Sequence, residues 1–262
     1  MPARQYKTYE NTNTLEKALG KLHQIAACHF SKSMRSIPQD FRCVSICFDD
    51  FPETAAIAGA AALEEAGAKG TFYTCFGQLG ENSPGGVLAT AEQVTDLAKR
   101  GHEIGCHTYD HINCSFESTR RVTASCERNI EAAAAHNLKL ANFSYPQWGM
   151  SLGAKKLVQQ HYDSARSGIQ GINAGESDLY CLKSVPLYER NRETVRNLID
   201  QVATHGGWLI IYTHDVSNTP SEHGISPASF KGIIRHCVQK GIPLKTIADA
   251  LKSLNADGRR SV

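Results

Sequence analysis

The chain has 262 residues, which suffices for one large α/β domain or for two small ones. Its 28 basic and 26 acidic side chains give a formal net charge of +2, so the chain lacks the basic field that nucleic acid or an anionic membrane surface would attract. No stretch approaches the roughly 20 apolar residues of a membrane span. Composition therefore disfavours nucleic-acid-binding and membrane-spanning classes.

The cysteines indicate the compartment. There are nine, an odd number, and none of their spacings forms the C-x-x-C pairs of a structural zinc site or a redox motif. They are expected to be reduced and mostly buried. The N-terminal sequence also lacks the uninterrupted apolar core of a secretory signal. We expect a cytoplasmic protein.

In chain order, the first predicted element is an amphipathic helix over residues 14–27, within an N-terminal strap (1–41) that packs on the main domain. Residues 42–256 are predicted to form that domain, and 257–262 a polar tail. From Phe41 onward, apolar runs alternate with helical patterns. The predicted strands are CVSICF, KGTFYTCF, HEIGCH, NFSYP, YDSAR and GWLIIYTH, and the predicted helices are ETAAIAGAAALEEAG, TAEQVTDLAKRG, SLGAKKLVQQ, NRETVRNLIDQVATHG and SPASFKGIIRHCVQKG. The segment PLKTIADALKSL is predicted to form a closing strand and helix.

Several helix ends carry chemical signals. Thr90 and Gln93 form a predicted capping box, Gly67 and Gly101 stand where helices should stop, and Ser226 precedes a proline at the first helical position. Six or seven βα units without a low-complexity linker favour a single closed or nearly closed (β/α) barrel.

In such a barrel, active-site residues lie at the carboxyl ends of the strands. The unusual polar residues of this chain all follow predicted strands, which scattered core residues would have no reason to do. They are Asp49 and Asp50, His107, the SYPQW turn, Arg166, and His214 with Asp215.

Asp50 is the residue that most needs a partner, because moving a carboxylate out of water costs several kcal/mol unless it is paired or binds a metal. His107 and His111 stand four apart after another strand, so a helical turn would place both imidazoles on one face. Two imidazoles and a carboxylate hold a divalent transition metal and leave positions open. Alone, this histidine pair is a weak signal.

Three motifs in order resemble those of the polysaccharide deacetylase family, the NodB-homology or carbohydrate esterase family 4 enzymes. They are CFDDF for the family's T-F-D-D-G, HTYDH for H-[ST]-x-x-H, and LIIYTH for the last, leucine-bearing strand and histidine. The resemblance covers about residues 41–254. It implies a distorted seven-stranded NodB-like barrel and a deacetylase domain over 42–256.

Carried over residue by residue, the resemblance implies that Asp50, His107 and His111 bind the metal. It makes Asp49 the general base and His214 the general acid. The chemistry agrees, because a carboxylate beside a metal can take a proton from water whose pKa the cation lowers. The implied cofactor is one divalent metal, with zinc as the default ion and cobalt or nickel as alternatives.

The third motif departs from the family pattern. The backbone N–H of Gln147 is the implied oxyanion donor. The family's arginine, which orients the base, falls at Ser144, and Arg166 is the candidate replacement because its guanidinium can grip a carboxylate. A surface or substrate-binding role for Arg166 is nearly as well supported.

Other features stay open at this point. The aspartate that orients the acid has no clear counterpart, and Asp163, Asp178 and Asp215 are all candidates. Trp148 is assigned equally to a sugar-stacking position and to a buried one, whereas Trp208 is expected in the core.

Three hypotheses follow. The first is metal-dependent removal of an acetyl group from the nitrogen of an N-acetylated sugar or surface-glycan precursor. The second is hydrolysis of another small amide, such as a formamide, cyclic imide or ureide. The third is a carbohydrate-binding protein that has lost turnover, against which Asp49 and His214 argue. Nothing in the sequence indicates the oligomeric state.

Overall fold

The computed structural model describes residues 13–257. The first 12 residues of the predicted strap and nearly all of the predicted polar tail lie outside the described residues. The division between strap and main domain at residue 41 stays a prediction. The strands are β1 Met34–Ile37, β2 Arg42–Asp49, β3 Thr71–Thr74, β4 Asn82–Ser83, β5 Gly86–Val87, β6 Glu103–Cys106, β7 Asn142–Ser144, β8 Ser164–Arg166, β9 Gly175–Asp178, β10 Val185–Pro186 and β11 Gly207–Thr213. The α-helices are α1 Thr14–His29, α2 Ala60–Glu65, α3 Ala91–Lys99, α4 Thr119–Ala134, α5 Leu152–His161, α6 Arg192–His205, α7 Pro227–Gln239 and α8 Ile247–Asp257.

Seven strands form one parallel sheet in the order β10–β11–β2–β3–β6–β7–β8. The sheet curls, and its two edge strands approach each other through Leu182. This residue pairs with Arg166 of β8 shortly before the chain enters β10. Helices flank the sheet, so the predicted distorted (β/α) barrel is confirmed.

The central strands are buried on both sides because the barrel interior and the helices cover their two faces. All residues of β2 after Arg42, and all of β11, are buried. Trp208 of β11 is fully buried and donates its indole N–H to Ser45 Oγ at 2.9 Å, so its predicted core position is confirmed.

The predicted helix ends agree with the structure. Thr90 and Gln93 form a reciprocal capping box at the start of α3. Gly67 and Gly101 follow helices with φ of 68° and 87°, in the left-handed region that glycine adopts freely. Ser226 caps α7, and Pro227 is its first residue.

Two predictions about elements were wrong. Helix α4 is absent from the predicted series, although it has 16 residues and Ser118 as its N-cap. The closing strand predicted within PLKTIADALKSL is a single bridge between Leu244 and Val44, because the chain turns into α8 already at Ile247. A π-helical turn, Ala55–Gly59, also precedes α2.

Helix α1 is attached to the barrel by a buried lysine. Lys155 of α5 donates to the carbonyl oxygens of Ala27 and Phe30, at 2.7 and 3.1 Å, and so satisfies groups at the carboxyl end of α1. The same ammonium group pairs with Asp178 of β9. One side chain thus joins α1, α5 and the β1–β9 ribbon.

Replacing Lys155 by Ala should lower the free energy of unfolding by about 3 kcal/mol or more, because Asp178 would stay buried without its cation. Lys156→Ala, at the exposed next position, is the matched control and should change stability by less than about 0.5 kcal/mol. Urea unfolding followed by circular dichroism measures both. Equal stabilities of the two variants would contradict this role.

Candidate active site

The two adjacent aspartates point to different partners because the strand ends between them. Asp49 is the last residue of β2, and its buried side chain forms an ion pair with Arg166. Asp50 has a φ of 51°, a left-handed conformation that turns the chain out of the strand. Its carboxylate lies 3.2 Å from Nε2 of His111 and 3.8 Å from Nε2 of His107.

Asp50, His107 and His111 form a three-residue cluster. One potential ligand atom from each lies within 4.8 Å of the other two. His107 donates from Nδ1 to the carbonyl oxygen of Ser144 at 2.8 Å, which fixes the tautomer and leaves Nε2 toward the cluster. The cluster is the arrangement that the sequence predicted, assembled from two different strand ends.

The reason given for the histidine proximity was wrong. Residues 107–111 do not form a helical turn. Instead, Thr108 and His111 adopt left-handed φ values of 60° and 51°, and Thr108 Oγ1 accepts a hydrogen bond from the Ile112 N–H at 3.1 Å. This tight loop, rather than a helix, brings the two imidazoles together, with ring centroids 5.1 Å apart.

The electrostatics suit a metal. Burial lowers the pKa of His107 to about 4, although the carboxylates of Asp49 and Asp50 oppose that shift. Burial would raise the pKa of Asp50, but the neighbouring His111 and His107 hold it below its ordinary value. A neutral imidazole and an ionised carboxylate are the protonation states that bind a cation, so these residues fit a divalent transition metal.

Asp49 is paired with Arg166 rather than with the two histidines. Burial would raise the pKa of Asp49, but the Arg166 guanidinium, with smaller contributions from His107 and His214, holds it below its ordinary value. Arg166 is 2% exposed, and its Cζ lies 4.4 Å from the ring centroid of Tyr212. Asp49 is therefore ionised in a water-poor setting.

Arg166 lies on the strand next to Ser144, the position where the motif arginine is missing. Ser144 of β7, where the resemblance places that arginine, pairs in register with Arg166 of β8. The guanidinium therefore enters the barrel one strand further along and contacts the same Asp49. Arg166 donates from Nη2 to Oδ2 of Asp49. The other carboxylate oxygen, Oδ1, has no hydrogen-bond partner within residues 13–257.

His214 follows β11 and lies beside aromatic rings. Its ring centroid is 5.4 Å from that of His223 and 6.2 Å from that of Tyr188. Its Nδ1 is buried and has no hydrogen-bond partner in the described part of the chain.

None of the three candidate aspartates is the partner of that nitrogen. Asp215 accepts from the N–H and hydroxyl of Ser221, and Asp178 pairs with Lys155. Asp163 is exposed and precedes β8, at the end of the barrel opposite to Arg166.

The SYPQW turn approaches the cluster from β7. Gln147 donates from Nε2 to the His111 carbonyl oxygen at 3.4 Å, so its side chain contacts the histidine loop. Gln147 and Trp148 are consecutive left-handed residues, with φ of 51° and 57°. Seven described non-glycine residues have positive φ, and five of them lie in these site loops, where strain is often stored: Asp50, Thr108, His111, Gln147 and Trp148.

Two residues of this site were not identified from the sequence. The Cys75 thiol follows β3 and lies 3.0 Å from the His107 carbonyl oxygen and 3.5 Å from Asp50 Oδ1. Burial and the Asp50 charge raise its pKa, so it stays a protonated donor. No sequence signal identified it, because Cys75 stood inside the predicted strand KGTFYTCF, whereas the structure ends β3 at Thr74. Tyr212, under Arg166, lies inside an apolar run and carried none.

The model of the family described as polysaccharide deacetylase matches residues 36–161, which include the Asp50, His107 and His111 cluster. Over this segment the chain is similar to the polysaccharide deacetylase family. This family consists of hydrolases that remove acetyl groups from carbohydrates. Arg166 and His214 lie beyond the matched segment and are placed by the structure alone.

Solved structures share the fold. A candidate polysaccharide deacetylase from Mycobacterium smegmatis has a TM-score of 0.63 and 16% identity, over 87% of this chain and 96% of that chain. PdaA of Bacillus subtilis, a family 4 carbohydrate esterase, has a TM-score of 0.57 and 13% identity, over 92% and 90%. At such identities the likeness establishes the fold.

A third similar structure is a pseudoenzyme. BA3943 of Bacillus anthracis, of carbohydrate esterase family 4, has a TM-score of 0.55 and 15% identity, over 82% of this chain and 66% of that chain. No curated protein matches the sequence. Within the described residues, no helix is long and apolar enough to cross a bilayer.

Purified protein should bind about one zinc ion per chain, and the His107→Ala, His111→Ala double variant should lose it, because a single carboxylate remains. His29→Ala, His161→Ala is the matched double control, since both histidines are exposed. Zinc titration by calorimetry and elemental analysis measure binding, and circular dichroism checks folding. Retained zinc in the first variant would contradict the site.

Proposed function

We propose that the protein hydrolyses an amide C–N bond with a bound divalent metal, removing the acetyl group from the nitrogen of an N-acetylated sugar or surface-glycan precursor. The observation that carries this proposal is the Asp50, His107 and His111 cluster beside a separately paired Asp49. A protein that only bound sugar would have no need for a buried, ionised carboxylate with one oxygen left unpaired.

When bound, the metal supplies a Lewis acid that polarises the amide carbonyl and lowers the pKa of water. Zinc is the proposed ion, and cobalt or nickel would suit the same ligands. The proposed metal ligands come from the residue directly after β2 and from the loop after β6, so adjacent strand ends bring the two segments together.

Asp49 is the proposed general base. Arg166 occupies Oδ2, so Oδ1 is the oxygen that accepts the proton from the attacking water. Arg166 in turn keeps the carboxylate ionised and oriented.

His214 arrives from β11, on the other side of β2 from the histidine loop, and is the proposed acid that protonates the leaving nitrogen. The backbone N–H of Gln147, on the strained turn after β7, is the proposed donor to the developing oxyanion.

The proposed substrate is intracellular. The nine cysteines are all free, and eight of them are buried, which suits a reducing compartment. A cytoplasmic sugar building block, short oligosaccharide or glycan precursor fits this proposal. The pseudoenzyme BA3943 has the same fold, so a binding role is the alternative of another class.

The test is acetate release from N-acetylglucosamine, its β-1,4-linked oligomers and other N-acetylated sugars by the zinc-loaded protein, with a formamide and a cyclic ureide in the same panel. We expect acetate from at least one sugar and its loss on chelation. Turnover of the formamide or ureide alone would replace the sugar substrate, and no turnover of any compound would reject hydrolysis.

Asp49→Asn should lower kcat by about 100-fold or more, because the amide cannot act as a base, while sugar binding persists. Asp40→Asn, at an exposed position before β2, is the matched control and should retain wild-type kcat. Steady-state acetate release and calorimetry separate the two quantities. Full activity of Asp49→Asn would favour another base.

Arg166→Gln should move the acid limb of the kcat/KM profile upward by about one pH unit or more, because the guanidinium holds the pKa of Asp49 down. The base works when ionised, so activity falls as pH drops through its pKa, and a higher pKa makes that loss begin at higher pH. Arg42→Gln, at the opposite end of β2, is the control. An unmoved limb with reduced kcat would limit Arg166 to a structural role.

A further inference from the structure

Helix α1 leaves its larger apolar side chains in solvent. Leu15, Leu22 and Ile25 are 70%, 60% and 47% exposed, whereas Gly20 and Ala27 are buried. Small residues therefore form the inner face of the helix, and they bury little apolar area against the barrel. Since apolar burial contributes little to the attachment of α1, the contacts of its last turn become important.

Two cysteine thiols meet at that last turn. Cys28 belongs to it, and Cys181 lies in the segment between β9 and β10. Their sulfur atoms are 3.6 Å apart, although the two residues are separated by 153 positions in the chain. An S–S bond is about 2.0 Å long, so a disulfide needs a further approach of about 1.5 Å, shared by two side chains.

Lys155 fixes the backbone on both sides of this contact. Its ammonium group donates to the carbonyl oxygen of Ala27, the residue before Cys28, at 2.7 Å, and it pairs with Asp178. The carbonyl oxygen of Asp178 in turn accepts the Cys181 N–H at 3.0 Å. One cation thus holds both thiol-bearing segments in place, so little conformational entropy is lost when the sulfurs join.

Cys28 is the more reactive of the two thiols. All nine cysteines lie in the described part of the chain, and Cys28 is the one that is not buried. Its hydrogen bond with Cys181 and the charge of Lys155 lower the pKa of Cys28 to about 7, although burial opposes that shift. Much of this thiol is therefore thiolate near neutral pH, the form that reacts with oxidants. The same hydrogen bond and burial raise the pKa of Cys181, which stays a protonated thiol.

The segment that carries Cys181 also supports Arg166. Leu182, the residue after Cys181, donates its N–H to the Ala165 carbonyl oxygen at 3.0 Å and accepts the Ser167 N–H at 2.8 Å. These two hydrogen bonds bracket Arg166 on β8. A covalent bond at Cys181 would therefore join α1 to the backbone beside the guanidinium.

We propose that Cys28 and Cys181 form a reversible disulfide, with a peroxide as the oxidant, and that this bond clamps α1 to the barrel. The Cys28 thiolate attacks one peroxide oxygen, the O–O bond breaks, and hydroxide leaves as the sulfur is oxidised to a sulfenic acid. The Cys181 sulfur then displaces the sulfenic oxygen, which leaves as water with the Cys181 proton. The hydroxide takes up the proton that Cys28 released, so two thiols and one peroxide give one disulfide and two waters.

Such a bond suits a reducing compartment, because disulfides there are mostly transient and serve catalysis or redox sensing. Small thiols would reduce the bond again once the peroxide is consumed. The inference is independent of the hydrolysis proposal, since every readout below is measured without turnover.

Peptide mapping tests the bond. Reduced wild-type protein is treated with hydrogen peroxide, its remaining thiols are blocked with N-ethylmaleimide, and the denatured chain is cut with trypsin. Peptides 22–32 and 167–183 each contain a single cysteine, Cys28 and Cys181 respectively. We expect mass spectrometry to find these two peptides joined as the main disulfide product and separated by dithiothreitol. Absence of this product, or equal yields of disulfides between other cysteines, would overturn the proposal.

Single variants assign the two roles. Cys181→Ser cannot form the bond, so peroxide should leave Cys28 as a sulfenic acid that dimedone labels about tenfold more than in wild type. Cys28→Ser should leave Cys181 unlabelled, because that thiol is buried. Cys237→Ser, which removes a buried thiol of α7, is the matched control and should form the cross-link in full. Labelling of Cys181 in place of Cys28 would overturn the proposed order of steps.

Hydrogen exchange tests the clamp. Amides of α1 should exchange about tenfold more slowly in oxidised than in reduced wild-type protein, because the bond removes open states in which the helix detaches. The melting temperature should rise by about 5 °C or more. Amides of α3 serve as the internal control, and peroxide-treated Cys28→Ser protein should show neither change. A cross-linked protein with unchanged exchange of the α1 amides would reject the clamp.

Discussion

The arrangement at the carboxyl end of the barrel strands depends on two adjacent carboxylates, of which Asp49 is buried and Asp50 is half-buried. A single strand end cannot satisfy both charges in one way, because two neighbouring anions in a water-poor interior repel each other and each loses hydration. The protein solves this by giving them different partners. Asp49 stays in the strand and pairs with Arg166, whereas Asp50 leaves the strand through a left-handed turn and contacts two histidines.

This division explains where the structure is rigid and where it is strained. Parallel strands fix the positions of Asp49, Arg166 and the residue before His107 through regular pairing. The loops carry the unfavourable backbone conformations, and the surrounding hydrogen bonds hold them in place. The free energy for these conformations comes from the core that the strands and helices build together.

Periodicity and capping chemistry predicted most of the fold, because buried strands and amphipathic helices leave a direct signature in the chain. Helix α4 was missed since its polar, arginine-rich start hides the apolar stripe around Val122 and Cys126. The Asp50, His107 and His111 cluster was predicted from the strand-end positions of these residues and from the motifs they form. The loop geometry behind it was not, because non-glycine residues with positive φ depend on tertiary contacts that no local pattern reveals. Contacts such as Tyr212 with Arg166 join residues far apart in the chain.

The pairing of Ser144 with Arg166 has a consequence for how such enzymes are recognised. Read along the chain, the third motif has lost its arginine, and a linear comparison would count this as a mark of inactivity. In space, a guanidinium from the adjoining strand contacts Asp49. Whether a chain with such an altered motif has lost a functional group should therefore be judged from the assembled barrel and not from the order of motifs alone.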